Sequence, residues 1–222
     1  MEDGKVMINV IYEDNHILVV EKPINIPVQL DSSNDKDLLS LLKDYLKKKY
    51  NKPGNVYLGL VHRLDRPVGG IMVFAKTSKA ASRLNKQMID GKINKTYLAV
   101  VNGTLPNKAI LKDRIIKDSK TNIVKISDKG KEASLDYETI SKKDELSLVK
   151  IHLHTGRSHQ IRIQFASRGN SLYGDQKYNK EAKVGQQIAL FAKELEFIHP
   201  ITKEVMKFDL PLPQRIPFSV FK

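Results

Sequence analysis

The stretch Val56-Tyr57-Leu58-Gly59-Leu60-Val61-His62-Arg63-Leu64-Asp65-Arg66-Pro67-Val68-Gly69-Gly70-Ile71-Met72-Val73-Phe74-Ala75 decides how this chain is read. Its two ends, 56–61 and 71–75, are apolar runs bounded by turn residues, the pattern of strands buried on both faces. Between them Pro67, Gly69 and Gly70 impose a turn. One carboxylate, Asp65, stands there between Arg63 and Arg66. Side chains that carry chemistry concentrate on loops held by a rigid sheet, so Asp65 reads as placed to act on an anionic substrate. The competing reading is a structural aspartate, since Asp commonly closes turns.

Outward from this centre, 6–12 and 17–21 read as strands around the polar turn Glu13-Asp14-Asn15-His16, and Pro23 and Pro27 then force an extended loop. An amphipathic helix is expected over 35–50, burying Leu38, Leu39, Leu41, Leu42, Tyr45 and Leu46, with Asp35 as its cap. Its end, Lys47-Lys48-Lys49, suits the negative end of a helix dipole. After the strand 71–75 comes a helix capped by Thr77 or Ser78 and stopped at Gly91, then a strand over 96–101. From 109 to 153 short β-like runs alternate with Gly- and Lys-rich turns, which reads as antiparallel sheet. A helix over 158–168 ends at Gly169, and short strands over 188–192, 195–198 and 205–210 precede a proline-rich tail. Strands outnumber helices without alternating with them. The expected class is therefore α+β, with a large mixed, mainly antiparallel β-sheet flanked by helices and loops. Residues 1–222 are expected to form a single catalytic domain.

The chain has 222 residues, 41% of them apolar, enough to build a real core. It has no cysteine, which removes disulfides, iron–sulfur clusters and thiolate zinc sites from consideration. Met1-Glu2-Asp3-Gly4-Lys5 is not followed by a signal-peptide core, and no run approaches the roughly 20 apolar residues of a membrane span. A cytoplasmic protein with no membrane partner is expected. The formal net charge of +13, from 38 Lys+Arg against 25 Asp+Glu, suggests a polyanionic partner. A lysine-rich solubilising surface is the plainer alternative.

A second dense segment is His154-Thr155-Gly156-Arg157-Ser158-His159-Gln160-Ile161-Arg162. Thr155 and Gly156 read as the end of a strand and a turn, with Ser158 as the N-cap of the following helix. The N–H groups of such a start, reinforced by Arg157, suit an anion. His159 and Arg162, three apart, project from one helix face, and Ile161 and Phe165 from another. His154 and His159 match no standard zinc spacing and no carboxylate lies near in sequence, so no metal is expected; His154 reads as a turn-structuring residue.

Taken in order, several segments resemble the RluA-type pseudouridine synthases. They are Ile17-Leu18-Val19-Val20-Glu21-Lys22-Pro23; His62-Arg63-Leu64-Asp65 with Gly70 and Ala75-Lys76-Thr77; Lys95-Thr96-Tyr97-Leu98-Ala99; and Thr155 through Arg162. Tyr173-Gly174-Asp175 with Tyr178, and Leu195-Glu196-Phe197-Ile198-His199-Pro200, resemble the closing segments. Together they span roughly residues 8 to 213. Two departures stand out: Arg66-Pro67-Val68-Gly69-Gly70 replaces the common charged pair and Thr-Ser-Gly, and Phe191 stands where histidine is usual. No appended N-terminal RNA-binding domain is expected, because the first motif begins almost at once.

The resemblance implies a pseudouridine synthase fold and an isomerase acting on structured RNA (rRNA and/or tRNA) as a monomer, with no cofactor. It implies Asp65, Tyr97 and Arg162 as catalytic residues. Arg63 would fill the space left by a flipped base, and Tyr97 would stack on the uracil. His62, Arg66, Arg157 and His159 join Arg63 as RNA-binding candidates. Asp65 has two chemical roles open to it, nucleophile or general base at the sugar's 2′ position, and Arg162 is its natural ionic partner. The alternatives are a non-catalytic RNA-binding protein that retains the fold, and a glycosidic hydrolase. The hydrolase would usually need two carboxylates, and these segments supply one.

Overall fold

The structure, a computed structural model, describes residues 8–31 and 33–221. The expected start of the first strand at Val6, and the reading of the N-terminal residues, lie outside them. The chain divides into two compact units, one formed by residues up to Ile93 together with Glu196–Phe208, the other by Asn94–Leu195 with the residues from Asp209 onward.

In the first unit, β1 (Asn9–Glu13) pairs antiparallel with β2 (Ile17–Lys22), and β2 pairs antiparallel with β4 (Gly69–Ala75) from Ile17↔Ala75 to Lys22↔Gly70. Every residue of β4 is buried, as are the first four of β2, which is why both read as unbroken apolar runs. The strand expected over 56–61 shortens to β3 (Gly59–Leu60), which pairs with Ala75 and Phe74. Val56, Leu58 and Val61 are buried but Tyr57 is half-exposed, so this run is apolar for packing rather than for pairing. Helix α1 (Leu38–Lys49) starts later than expected. Its cap is Asp37, whose carboxylate accepts the Ser40 N–H at 3.0 Å, and not Asp35, which is drawn to Arg66. Helix α2 (Ser78–Ile89) is capped by Thr77, as expected, and Gly91 follows it with φ 67°.

In the second unit, β5 (Asn94–Asn102), β6 (Lys108–Asp118), β7 (Ile123–Ile126), β8 (Lys131–Lys143) and β9 (Leu146–Leu153) form the order β5-β9-β8-β6-β7. All these pairings are antiparallel, as the alternating runs led one to expect. Helix α3 (Gln160–Ala166) has only seven residues, against the eleven expected over 158–168. Its Ile163 packs on the cluster of Ile115, Val124 and Ala133, and Phe165 lies 5.2 Å from the Tyr137 ring. The last long strand, β10 (Leu190–Ile198), is one element where two were expected. The charged pair Lys193-Glu194 broke the apolar run in sequence, but Lys193 pairs with Asp209 and Glu194 with Lys150 at 2.7 Å. The chain passes back to the first unit within β10, and β11 (Val205–Asp209) pairs with it. The class is α+β with a mainly antiparallel sheet, as expected. Among the described residues no helix is long and apolar enough to cross a membrane.

Candidate active site

In the first unit Asp65 opens a tight turn into β4. The Val68 N–H donates to the Asp65 carbonyl at 2.9 Å, closing the turn over Arg66-Pro67. Beneath it lies Lys22, at the end of β2 and fully buried. Its ammonium donates to three carbonyls, Pro23 at 2.9 Å, Arg66 at 3.0 Å and Val68 at 2.8 Å. Three N–H groups meet three acceptors, so the charge is fully hydrogen-bonded. Burial pushes the Lys22 pKa down to about 7; the negative charge of Asp65 opposes that and the positive charge of Arg66 adds to it. Lys22 is thus a cationic neighbour of Asp65 and the fastener of its turn. The two glycines after the turn answer to the same crowding. A Cβ on Gly69 would stand 3.1 Å from both the Ile24 side chain and the Lys22 carbonyl, and Gly70 has φ 124°.

The neighbours of Asp65 differ in circumstance. His62 is half-buried, and its Nε2 accepts the Val73 N–H of β4 at 3.2 Å. Arg63 is exposed. Arg66 is exposed too, but its guanidinium donates to Ser33 Oγ at 2.9 Å and pairs with Asp35, with Asp31 at 4.0 Å.

In the second unit Tyr97 is buried on β5 opposite Ile151. Arg162 projects from α3 and is also buried. Its guanidinium grips Asp175 in a two-pronged pair, Nε to Oδ2 at 2.8 Å and Nη2 to Oδ1 at 2.6 Å. The Tyr178 ring lies 5.2 Å from the guanidinium carbon, a cation–π contact. The Tyr178 hydroxyl accepts the Val124 N–H at 2.8 Å and stands 2.7 Å from His159 Nδ1. His159 and Arg162, read as sharing a face, therefore converge on Tyr178. Gly174 makes this possible: at φ 70°, a Cβ there would lie 2.3 Å from the Gln187 carbonyl oxygen.

The entry to α3 corrects one expectation. Ser158 is not its cap; His159 occupies that position with a left-handed backbone and no side-chain cap bond. The Gln160 side chain instead ties down the segment before the helix, its Oε1 accepting from the Thr155 hydroxyl at 2.7 Å and the Arg157 N–H at 3.1 Å. Arg157 is exposed and donates to the Glu132 carbonyl at 3.1 Å. His154 Nε2 lies 2.6 Å from Asp136, in keeping with a structural role.

Lys22, Asp175 and Tyr178 went unassigned in the sequence although all three lie in the resembling segments. The signal was present: a lysine ending an apolar strand and an aspartate after a glycine are buried only when paired.

The chain as a whole has relatives among known proteins. Residues 16–167 match the family model described as RNA pseudouridylate synthase. Ribosomal large subunit pseudouridine synthase D of Zymomonas mobilis is 35% identical, the alignment covering 96% of this chain and 72% of that protein.

The chain belongs to the RNA pseudouridylate synthase family, in its RluA-type branch.

As a family member it is an isomerase that acts on RNA. A second synthase relative, an uncharacterized RNA pseudouridine synthase of Aquifex aeolicus, is 34% identical over 93% of this chain and 70% of its own length. The solved structure of human RNA pseudouridylate synthase domain containing 4 shares the synthase fold at a TM-score of 0.80 with 19% identity, covering 96% of this chain and 92% of that one.

Proposed function

We propose that this synthase isomerises uridine in large-subunit ribosomal RNA, as a cytoplasmic monomer whose 222 residues work as one catalytic domain. The named target of the Zymomonas mobilis relative supports the choice of RNA. The net charge of +13 supports a polyanionic partner.

Asp65 is the essential carboxylate. The observation that carries this is the Lys22 ammonium, buried under the turn and bonded to the Arg66 and Val68 carbonyls. It holds the backbone after Asp65 rigid, which fixes where the carboxylate is presented. In the reaction the C1′–N1 bond breaks, the uracil turns, and a C1′–C5 bond forms; the C5 proton is released and N1 gains one. The balance is an isomerisation with no redox change, so it asks for no electron carrier. Asp65 serves either as the nucleophile or as the base at the 2′ position. Tyr97 supplies an aromatic face for the extruded uracil, and Arg162 the second charged group of the reaction. Arg63 takes the vacated place in the stack, while His62, Arg66, Arg157 and His159 meet the surrounding RNA.

The test is tritium release from unmodified large-subunit ribosomal RNA transcribed with [5-³H]uridine. Wild type should release tritium and Asp65→Asn should not, with RNA retention unchanged within a few fold. Release of free uracil would instead mark a hydrolase.

A further inference from the structure

One basic surface of the first unit lies away from Asp65. Helix α1 ends in Lys47-Lys48-Lys49-Tyr50, and Lys52 follows. The helix dipole presents roughly half a negative charge at this end, which a single lysine offsets. Lys49 is already committed to Glu13 at 2.7 Å. Among the described residues, Lys47, Lys48 and Lys52 are exposed and pair with no carboxylate. Lys86 and Lys92 of the same unit, by contrast, both lie within reach of Asp90.

Two further features make this end more than a run of lysines. The Tyr50 ring, 47% exposed, is held by its hydroxyl, which donates to Glu13 Oε1 at 2.6 Å. Glu13 is nearly buried and also takes hydrogen bonds from Lys49, Lys76 and Tyr45. The ring is therefore fixed, with the Lys52 and Lys76 ammonium groups 5.8 and 4.8 Å from its centre. Along α1 runs a groove of about 390 Å³, lined by Ser40, Lys43, Asp44 and Lys47 of the helix and by the segment 54–56. Asp44 is the one acid in that lining.

The groove has a direction. Just upstream of α1, Asp35 pairs with Arg66, the residue after Asp65. Just past its other end, Tyr50 meets Lys76, the residue after β4. The twelve residues of α1 span about 18 Å, and the seven of β4 about 20 Å. Helix α1 thus runs from near the turn of Asp65 to the lysine cluster, with the groove along it from Ser40 to Lys47.

We propose that the outer face of α1 is a track for the substrate RNA beyond its target nucleotide, with phosphates on Lys43, Lys47, Lys48 and Lys52 and a base against Tyr50. This rests on the reading of the chain as an RNA synthase and adds where the flanking RNA lies. A polyanion fits four ammonium groups against one carboxylate, and a fixed, half-open aromatic ring among them fits a nucleic acid base.

The test compares the triple variant Lys47→Ala/Lys48→Ala/Lys52→Ala with a control triple of other exposed lysines of the same unit, Lys86→Ala/Lys92→Ala/Lys203→Ala. Filter retention of transcribed large-subunit ribosomal RNA is measured across a salt series. The α1 triple should bind about tenfold more weakly at 0.1 M salt, its log affinity–log salt slope shallower by about two to three, at 0.7–0.9 per lost phosphate contact. The control should change much less, and Tyr50→Leu should weaken retention with the slope intact. Unchanged retention in the α1 triple, the result if this face served an acidic protein, overturns the proposal. So do equal losses in both triples. Retention is read without catalysis, so a wild type that binds this RNA but releases no tritium defeats the proposed function and leaves the track judged on its own data.

Discussion

Two buried charges outside the expected catalytic set carry much of the geometry. Replacing Lys22 by Met leaves the Pro23, Arg66 and Val68 carbonyls without their donor. Unsatisfied buried acceptors cost about 1–3 kcal/mol each, partly relieved by rearrangement, so Lys22→Met should lose about 2–4 kcal/mol of stability and nearly all activity. The pH dependence has a definite sign. Burial lowers the folded-state pKa of Lys22 to about 7 from its ordinary 10.5, with Asp65 opposing. Between those values the unfolded chain binds the extra proton, so wild-type stability rises with pH across that window and the Met variant lacks the rise. Urea unfolding at pH 6 and pH 9 should show the gap between the two proteins widening at pH 9; a gap that narrows would contradict the account. Asp175→Asn, by contrast, leaves the buried Arg162 guanidinium facing a neutral amide. Breaking a buried pair costs about 3–5 kcal/mol, and urea unfolding should register a loss of that order. A variant as stable as wild type would show that the pair holds nothing.

At the scale of elements, the two aspartates before α1 separate roles that sequence alone ran together. Asp37→Ala removes the bonds to the Ser40 N–H and hydroxyl and should cost about 1 kcal/mol. Asp35→Ala should leave the helix untouched while removing one of the partners of Arg66, so thermal unfolding should fall by a few degrees in the first variant only. Periodicity made α1, α2 and the long antiparallel strands legible because each has a continuous buried face. It misplaced the cap of α1 because Asp35 and Asp37 are chemically identical candidates, and only Arg66, distant in sequence, claims one of them. It lengthened α3 because Ser158 looks like a cap, whereas His159 takes a left-handed backbone and the helix begins only after it. Most of the candidate residues stand in two dense segments, 62–70 and 154–162, whereas Tyr97 was marked only by the family resemblance. Their partners Lys22, Asp175 and Tyr178 were not legible, since pairings across 13 to 46 residues leave no local pattern.

At the scale of the whole molecule, the surplus positive charge is unevenly answered. Glu13 gathers Lys49, Lys76, Tyr45 and Tyr50, and although burial alone would raise its pKa, their hydrogen bonds hold it at about 2. It therefore stays ionised at any working pH and keeps that corner of the first unit fixed, while the lysines beyond it remain open to a polyanion. Family membership, a carboxylate in a fastened turn and an excess of cations all bear on one reaction. The most direct measurement is tritium release from [5-³H]uridine-labelled large-subunit ribosomal RNA by wild type and by Asp65→Asn, with pseudouridine identified in the digested product. The account predicts release with equimolar pseudouridine for wild type and none for the variant, which still binds the RNA. Pseudouridine formed by Asp65→Asn at a rate near that of wild type would contradict it.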